Sequence, residues 1–185
     1  MATINTPQAR YSTGAIILHW LIAIAVIVNW RLAEAAEGLE RPAAAVYMDP
    51  HKAIGMIVLV LTVARLAWRY MNPPPPMDPG YAAWERYLAK AVHGIFYFLL
   101  LALPLGGWFA SSSFGMGIDI FGLFTVPALP VAENPALGKS VFELHHTGGV
   151  IMILLVGLHI AGALKHQFLD KNNELGRMIP GLGKR

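Results

Sequence analysis

The chain has 185 residues, of which 56% are hydrophobic and only 14% are charged. This balance favours an integral membrane protein over a soluble domain. The chain contains no cysteine, which excludes disulfides, thiolate metal sites, cysteine-ligated iron–sulfur clusters and thioether-linked haem. A net charge of +3 is too small to indicate nucleic-acid binding, and it is typical of orientation charge around a membrane domain.

Four long apolar segments predict four transmembrane helices in a single domain covering residues 1–185. The predicted spans are about 14–32, 51–68, 90–110 and 145–164. Each has roughly the 17–25 residues that a helix needs to cross a bilayer. The first segment, with Arg10 before it, also resembles a cleavable signal peptide. Its length and the presence of His19 favour a retained helix.

The segments between these spans are predicted to be loops. Residues 33–50 are acidic and rich in alanine, and the run Pro73–Pro76 is a break that no helix would cross. Residues 111–144 contain an apolar stretch, Ile118 to Leu129, that is too interrupted to span a membrane. We expect this stretch to lie along the membrane surface or to cap one end of the bundle.

The distribution of charge predicts the orientation in the membrane. The N-terminus, the second loop and the C-terminus carry ten of the 14 basic residues and four of the 11 acidic residues. The basic residues are Arg10, Arg65, Arg69, Arg86, Lys90, Lys165, Lys171, Arg177, Lys184 and Arg185, and the acidic ones are Asp78, Glu85, Asp170 and Glu174. The positive-inside rule therefore predicts that both termini are cytoplasmic.

Histidines are the candidate functional residues, because an ionisable side chain is costly inside a membrane. The chain has seven of them. His145 and His159 lie on one predicted helix, separated by roughly 40° around its axis and roughly 21 Å along it. Two imidazoles on one face near opposite membrane surfaces favour two stacked prosthetic groups, and haem is the leading candidate. His146 points roughly 140° away from His159, so we interpret it as an interfacial residue.

The predicted depths pair the histidines across the bundle. His51 and His145 would bracket an outer haem, and His19 and His159 an inner one, by bis-imidazole ligation from facing helices. The predicted fold is therefore an all-α membrane protein, a four-helix bundle that encloses two b-type haems. Small residues follow these histidines on the same face, namely Ala23, Gly55, Gly148, Gly149, Gly162 and Ala163. The alternative is a set of interfacial histidines and ordinary helix contacts.

Two arginines lie one turn apart at the inner end of the second span. Arg65 and Arg69 are candidates to bind haem propionates through paired hydrogen bonds. They are equally typical of positively charged anchors whose side chains extend to the membrane surface.

An ordered set of short motifs is similar to those of the bacterial cytochrome b561 family, small four-helix dihaem proteins of the inner membrane. The motifs are Tyr11-Ser12, Leu18-His19-Trp20, His51, Val63-Ala64-Arg65-Leu66, Pro73–Pro76, His93, Leu101-Ala102-Leu103-Pro104, His145, Gly157-Leu158-His159, His166 and Leu175-Gly176-Arg177-Met178-Ile179-Pro180. The resemblance covers nearly the whole chain. It implies the same four histidines as haem ligands.

The resemblance also implies a function. The family includes a superoxide oxidase that passes electrons from superoxide outside the membrane to ubiquinone. In this chain His93 and His166 would be the candidate hydrogen-bonding or proton-relay residues of a quinone site near the inner haem. Two alternatives stay open. One is a quinol-oxidising cytochrome that donates electrons to a periplasmic protein, and the other is a haem-free transporter with a histidine-lined metal path.

Overall fold

The computed structural model describes residues 10–77, 80–172, 174–179 and 182. Asp78, Pro180, Lys184 and Arg185, which entered the charge count or the resemblance, lie outside these residues. The elements are α1 (Thr13–Ala36), α2 (Arg41–Met71), α3 (Ala83–Ser112), β1 (Ile118–Ile120), β2 (Phe124–Val126), α4 (Pro135–Leu164), a π-helical turn (Lys165–Leu169) and α5 (Glu174–Met178). Within the described chain, α1 to α4 are the helices long and apolar enough to cross a membrane. The prediction of four spanning helices is confirmed.

The four long helices form a bundle in which α1 packs on α2, α2 on α3, and α3 on α4. The middle of the bundle is a cluster of buried apolar side chains, namely Ile22, Val58, Leu99, Leu100 and Met152. On the outside, Val60, Phe98 and Leu154 are 66%, 67% and 68% exposed. Because these large apolar side chains lie in the middle of the long helices, the surroundings that suit them are lipid tails rather than water.

The bundle has two distinct ends. The terminal end carries the start of α1, the α2–α3 connection and α5, and the hairpin end carries β1 and β2. At the terminal end Arg177 is buried and donates hydrogen bonds to the carbonyls of Pro75 (3.4 Å) and Pro76 (2.9 Å). Its guanidinium also lies 5.5 Å from the centre of the Tyr11 ring. These contacts fasten α5 to the proline-rich connection and to the start of α1.

The predicted loop 111–144 contains a short antiparallel hairpin, so the fold departs from the all-α prediction at this point. Ile118 pairs with Val126, and Ile118 and Ile120 are buried against Ala53 of α2. The two isoleucines flank Asp119, and this alternation of apolar and polar side chains is typical of a strand with one buried face. The prediction that Ile118 to Leu129 caps a bundle end is confirmed, whereas its strand structure was not predicted.

Two segments predicted as loop, one in the loop 33–50 and one in the loop 111–144, are helical. Residues 41–50 belong to α2 and residues 135–144 to α4, so the loop predictions there are wrong. Pro42 lies in the first turn of α2, where its missing N–H costs nothing, and the helix continues through Pro50. The side chain of Asn134 caps the first turn of α4. The predicted spans were bounded by hydropathy, but helical hydrogen bonding continues beyond the apolar residues.

Candidate functional site

At the hairpin end, α2 and α4 bring two imidazoles face to edge. The ring centres of His51 and His145, called here the hairpin-end pair, are 5.9 Å apart and their planes are inclined by 74°. Nδ1 of His51 lies 3.0 Å from the carbonyl oxygen of Asn29, and Nδ1 of His145 lies 2.9 Å from that of Leu103. A carbonyl only accepts, so Nδ1 is the donor in both rings. Each Nε2 therefore keeps a lone pair that can bind a metal ion.

Glycines make room around this pair. A Cβ atom at Gly107 of α3 would lie only 3.3 Å from Cε1 of His145, so the absence of a side chain lets this ring approach the α3 backbone. A Cβ at Gly55, one turn after His51, would meet only Nδ2 of Asn29 at 3.8 Å. Oδ1 of Asn29 is buried and has no hydrogen-bond partner among the described residues. This end of the bundle thus combines space with polar groups beside two oriented imidazoles.

At the terminal end, α1 and α4 bring together a second pair. The ring centres of His19 and His159, called here the terminal-end pair, are 6.2 Å apart with planes inclined by 69°. His93 of α3 is also close to His159, at 5.4 Å between ring centres. Phe96 and Trp20 complete the aromatic surroundings, at 5.6 Å from His159 and 5.4 Å from His19.

The two ring separations fit a shared metal ion. Imidazoles bound to one ion from opposite sides, each through a bond of about 2 Å, have ring centres about 6 Å apart. The hairpin-end pair and the terminal-end pair both match this separation, whereas the spacing of His93 from His159 is shorter. Open space lies on the face of α4 that carries His159, because a Cβ at Gly162, three residues further on, would meet nothing within 4 Å.

Arg65 and Arg69 lie in a cleft between α1, α2 and α3 at the terminal end. Arg65 donates from NH1 to the carbonyl of Ala15 (3.0 Å) and from Nε to the hydroxyl of Tyr97 (3.2 Å). The Arg69 guanidinium lies 6.0 Å from the centre of the same tyrosine ring. Arg65 is within Coulombic range of both members of the terminal-end pair. Tyr97, which sequence reasoning missed, therefore holds a cation beside these imidazoles.

The remaining histidines lie apart from the two pairs. His146 is two-thirds exposed, and its Nε2 lies 3.7 Å from a carboxylate oxygen of Glu37. His166 stacks on the Tyr81 ring with centres 4.3 Å apart, and its Nδ1 is 2.7 Å from Oδ2 of Asp170. His93 and His166, predicted to share a quinone site, thus have different immediate neighbours.

A membrane-spanning four-helix bundle that presents paired imidazoles from facing helices defines the class of multi-pass b-type cytochromes. The sequence supports a narrower assignment, because residues 10–181 match the family described as prokaryotic cytochrome b561. The chain belongs to that family. Its activity is therefore membrane electron transfer, and its cofactor is b-type haem.

Three relatives match nearly end to end. "Cytochrome b561 homolog 2" of Escherichia coli (strain K12) is 34% identical over 181 residues, which cover 97% of this chain and 95% of the relative. "Cytochrome b561 homolog 1" of the same organism is 30% identical, with 92% and 97% covered. "Probable superoxide oxidase CybB" of Yersinia pestis is also 30% identical, with 92% and 96% covered. The predicted family resemblance is confirmed, and membership of an electron-transfer family removes the support for a haem-free transporter.

Proposed function

We propose that the chain binds two b-type haems and transfers electrons across the bacterial inner membrane between superoxide and ubiquinone. The hairpin-end pair, His51 and His145, would ligate one haem, and the terminal-end pair, His19 and His159, the other. The observation that carries this proposal is the presence of two imidazole pairs, at 5.9 Å and 6.2 Å, at opposite ends of one spanning bundle. Bound haem supplies one-electron redox chemistry that no side chain here provides.

The protein's own groups prepare these sites. The carbonyls of Asn29 and Leu103 hold His51 and His145 in the tautomer that leaves Nε2 available, which raises the basicity of each ring as a ligand. Two imidazoles at each site would hold the haem through protein ligands alone. Such ligation would favour electron transfer over oxygen binding, because no position would stay open for oxygen.

At the terminal end, Arg65 is the proposed partner of a propionate. The hydroxyl of Tyr97 and the carbonyl of Ala15 fix its guanidinium, so little side-chain freedom remains to be lost when a carboxylate binds. Arg69, stacked on Tyr97, is a second candidate. The cleft that contains both arginines supports this role over that of a simple surface anchor.

The two reactants are assigned to opposite ends. Both termini are proposed to be cytoplasmic, so ubiquinone would react at the terminal end near His93 and His166, and superoxide at the hairpin end. The name of the Yersinia pestis relative supports superoxide as the donor. Steering of an anion by Arg31 and Lys52 is weak, because Arg31 pairs with Glu34 and Lys52 with Asp49.

The test uses the purified protein in detergent. We expect a reduced-minus-oxidised spectrum of a b-type cytochrome, two haems per chain, and reduction of ubiquinone when superoxide is generated. Oxidation of added quinol with reduction of a soluble one-electron acceptor, without the superoxide reaction, would instead support the reversed flow to a periplasmic protein. A colourless protein after expression with ample haem would contradict the proposal. Reporter fusions at each terminus test the orientation.

A further inference from the structure

Four ionisable side chains at the terminal end form a continuous hydrogen-bonded network. Lys165 Nζ lies 2.7 Å from Oε1 of Glu85 and 2.6 Å from Oδ2 of Asp170. The same Oδ2 accepts from Nδ1 of His166 at 2.7 Å. The ring of Tyr81 covers the imidazole of His166. The network therefore joins the end of α4 to the start of α3. None of its members belongs to the hairpin-end pair or the terminal-end pair.

The backbone holds this network in place. The turn Lys165–Leu169 is π-helical, and the N–H of Asp170 donates to the carbonyl of Lys165 at 3.1 Å. Such turns are rare and occur frequently at functional sites. On the other side, Oε2 of Glu85 accepts from the backbone N–H of Ala82 at 3.0 Å, so the carboxylate is fixed at the first turn of α3. Both halves of the network are thus positioned by main chain as well as by each other.

A metal ion is the obvious alternative use of these side chains. The ligand atoms of Glu85, His166 and Asp170 all lie within 4.8 Å of one another. The ammonium of Lys165 is hydrogen-bonded to both carboxylates, however, and an ammonium has three donors and no acceptor. Its charge takes the place that a cation would fill. The group is better described as a chain of proton donors and acceptors.

The network leads from water towards the terminal-end pair. The side chains of Lys165 and Asp170 are 40% and 30% exposed, whereas those of His166 and Glu85 are 18% and 12% exposed. His166 follows His159 by seven residues and lies in the π-helical turn that continues α4, which corresponds to a rise of roughly 10 Å along the helix axis. The hydrogen bond from Lys165, supported by that from His166, holds the pKa of Asp170 below its usual range. Asp170 is therefore ionised near neutral pH, with Lys165 and His166 as its hydrogen-bond donors.

We propose that Asp170, His166 and Lys165 form the proton-transfer route between the aqueous phase at the terminal end and the quinone, with Glu85 as the residue that positions Lys165. This inference rests on the proposed function. Reduction of one quinone to quinol takes two electrons, supplied by the proposed electron transfer, and two protons, which convert both carbonyl oxygens to hydroxyls. The route delivers those protons from water, and in the reversed reaction it removes them.

The experiment compares Asp170→Asn and Lys165→Met with Lys90→Met, an exposed lysine of α3 outside the network. Prereduced protein is mixed with ubiquinone in H₂O and in D₂O, and oxidation is followed by stopped flow. We expect Asp170→Asn to slow the reaction at least about a hundredfold, the lower end of what a lost proton-transfer group costs, and to enlarge the solvent isotope effect. Added formate, a small weak acid, should restore part of the rate.

Two further measurements separate proton transfer from structural damage. Ferricyanide accepts an electron without a proton, so its reaction should be unchanged in all three variants. Ubiquinone affinity, measured by equilibrium titration, should also be unchanged. Equal slowing with ferricyanide, an unaltered rate in Asp170→Asn, or similar slowing in Lys90→Met would each overturn the inference. If the unmodified protein fails to react with ubiquinone, the proposed function itself fails and the route with it.

Discussion

Gly107 offers a sharp test of how the hairpin-end pair is held. A Cβ atom at this position would lie 3.3 Å from Cε1 and 3.5 Å from Nδ1 of His145. Alanine therefore pushes the imidazole away from α3 by a few tenths of an ångström, and the hydrogen bond from His145 to Leu103, now 2.9 Å long, must lengthen. The neighbouring Gly106 is a matched control, because a Cβ there would make an ordinary contact of 3.8 Å with Val141.

The expected change in haem affinity follows from the strength of this hydrogen bond. Its complete loss would cost about 1 kcal/mol, so its lengthening lowers the affinity for the haem that His145 is proposed to ligate by up to about fivefold. Replacing glycine by alanine inside a helix also stabilises the helix by up to about 1 kcal/mol. That gain is common to Gly107→Ala and Gly106→Ala, so it cancels when the two variants are compared.

The assay is equilibrium transfer of haem from the purified variants to apomyoglobin, read from the visible spectrum. Gly107→Ala should release the haem that His145 is proposed to ligate at an acceptor concentration down to about one-fifth of that which Gly106→Ala requires, since its affinity is up to about fivefold lower. The second haem should be retained equally by both variants. Equal transfer from both variants, or easier release from Gly106→Ala, would refute the role assigned to the His145–Leu103 hydrogen bond.

Five other substitutions, in three experiments, test the site and the fold. His145→Ala should remove one haem and His146→Ala none, because only the first ring faces α2; haem counting checks this, and the opposite pattern would contradict the pairing. His19→Ala should lose the haem proposed at the terminal end while His93→Ala retains it, since the 6.2 Å separation of His19 from His159 is closer to the value of about 6 Å for a shared ion than the 5.4 Å of His93. An unchanged haem content in His19→Ala would count against it. Arg177→Ala should weaken the docking of α5 by about 2 kcal/mol through the loss of charged hydrogen bonds. Limited proteolysis should then cut the C-terminal segment faster, and an unchanged rate would show that other contacts hold it.

The sequence was sufficient to predict the features that depend on a single helix. Hydropathy predicts four spans, and a rotation of 100° per residue directs His145 and His146 to different faces of α4. The hairpin around Ile118 was not predicted, because strands of only three residues are too short to show a clear alternation of apolar and polar residues. The additional turns of α2 and α4 were not predicted, because hydropathy identifies the part of a helix that lies in the membrane and does not identify where the helix ends.

The family, the number of spans and the candidate histidines follow from the sequence alone, since these depend on residue types and on spacing within one helix. Only the packing of the helices sets which groups hold those histidines and which charged groups pair at the terminal end. Asn29 meets His51 across 22 positions, Leu103 meets His145 across 42, and Glu85 meets Lys165 across 80. Contacts between residues this far apart follow from how the helices pack, so no spacing along the chain could predict them.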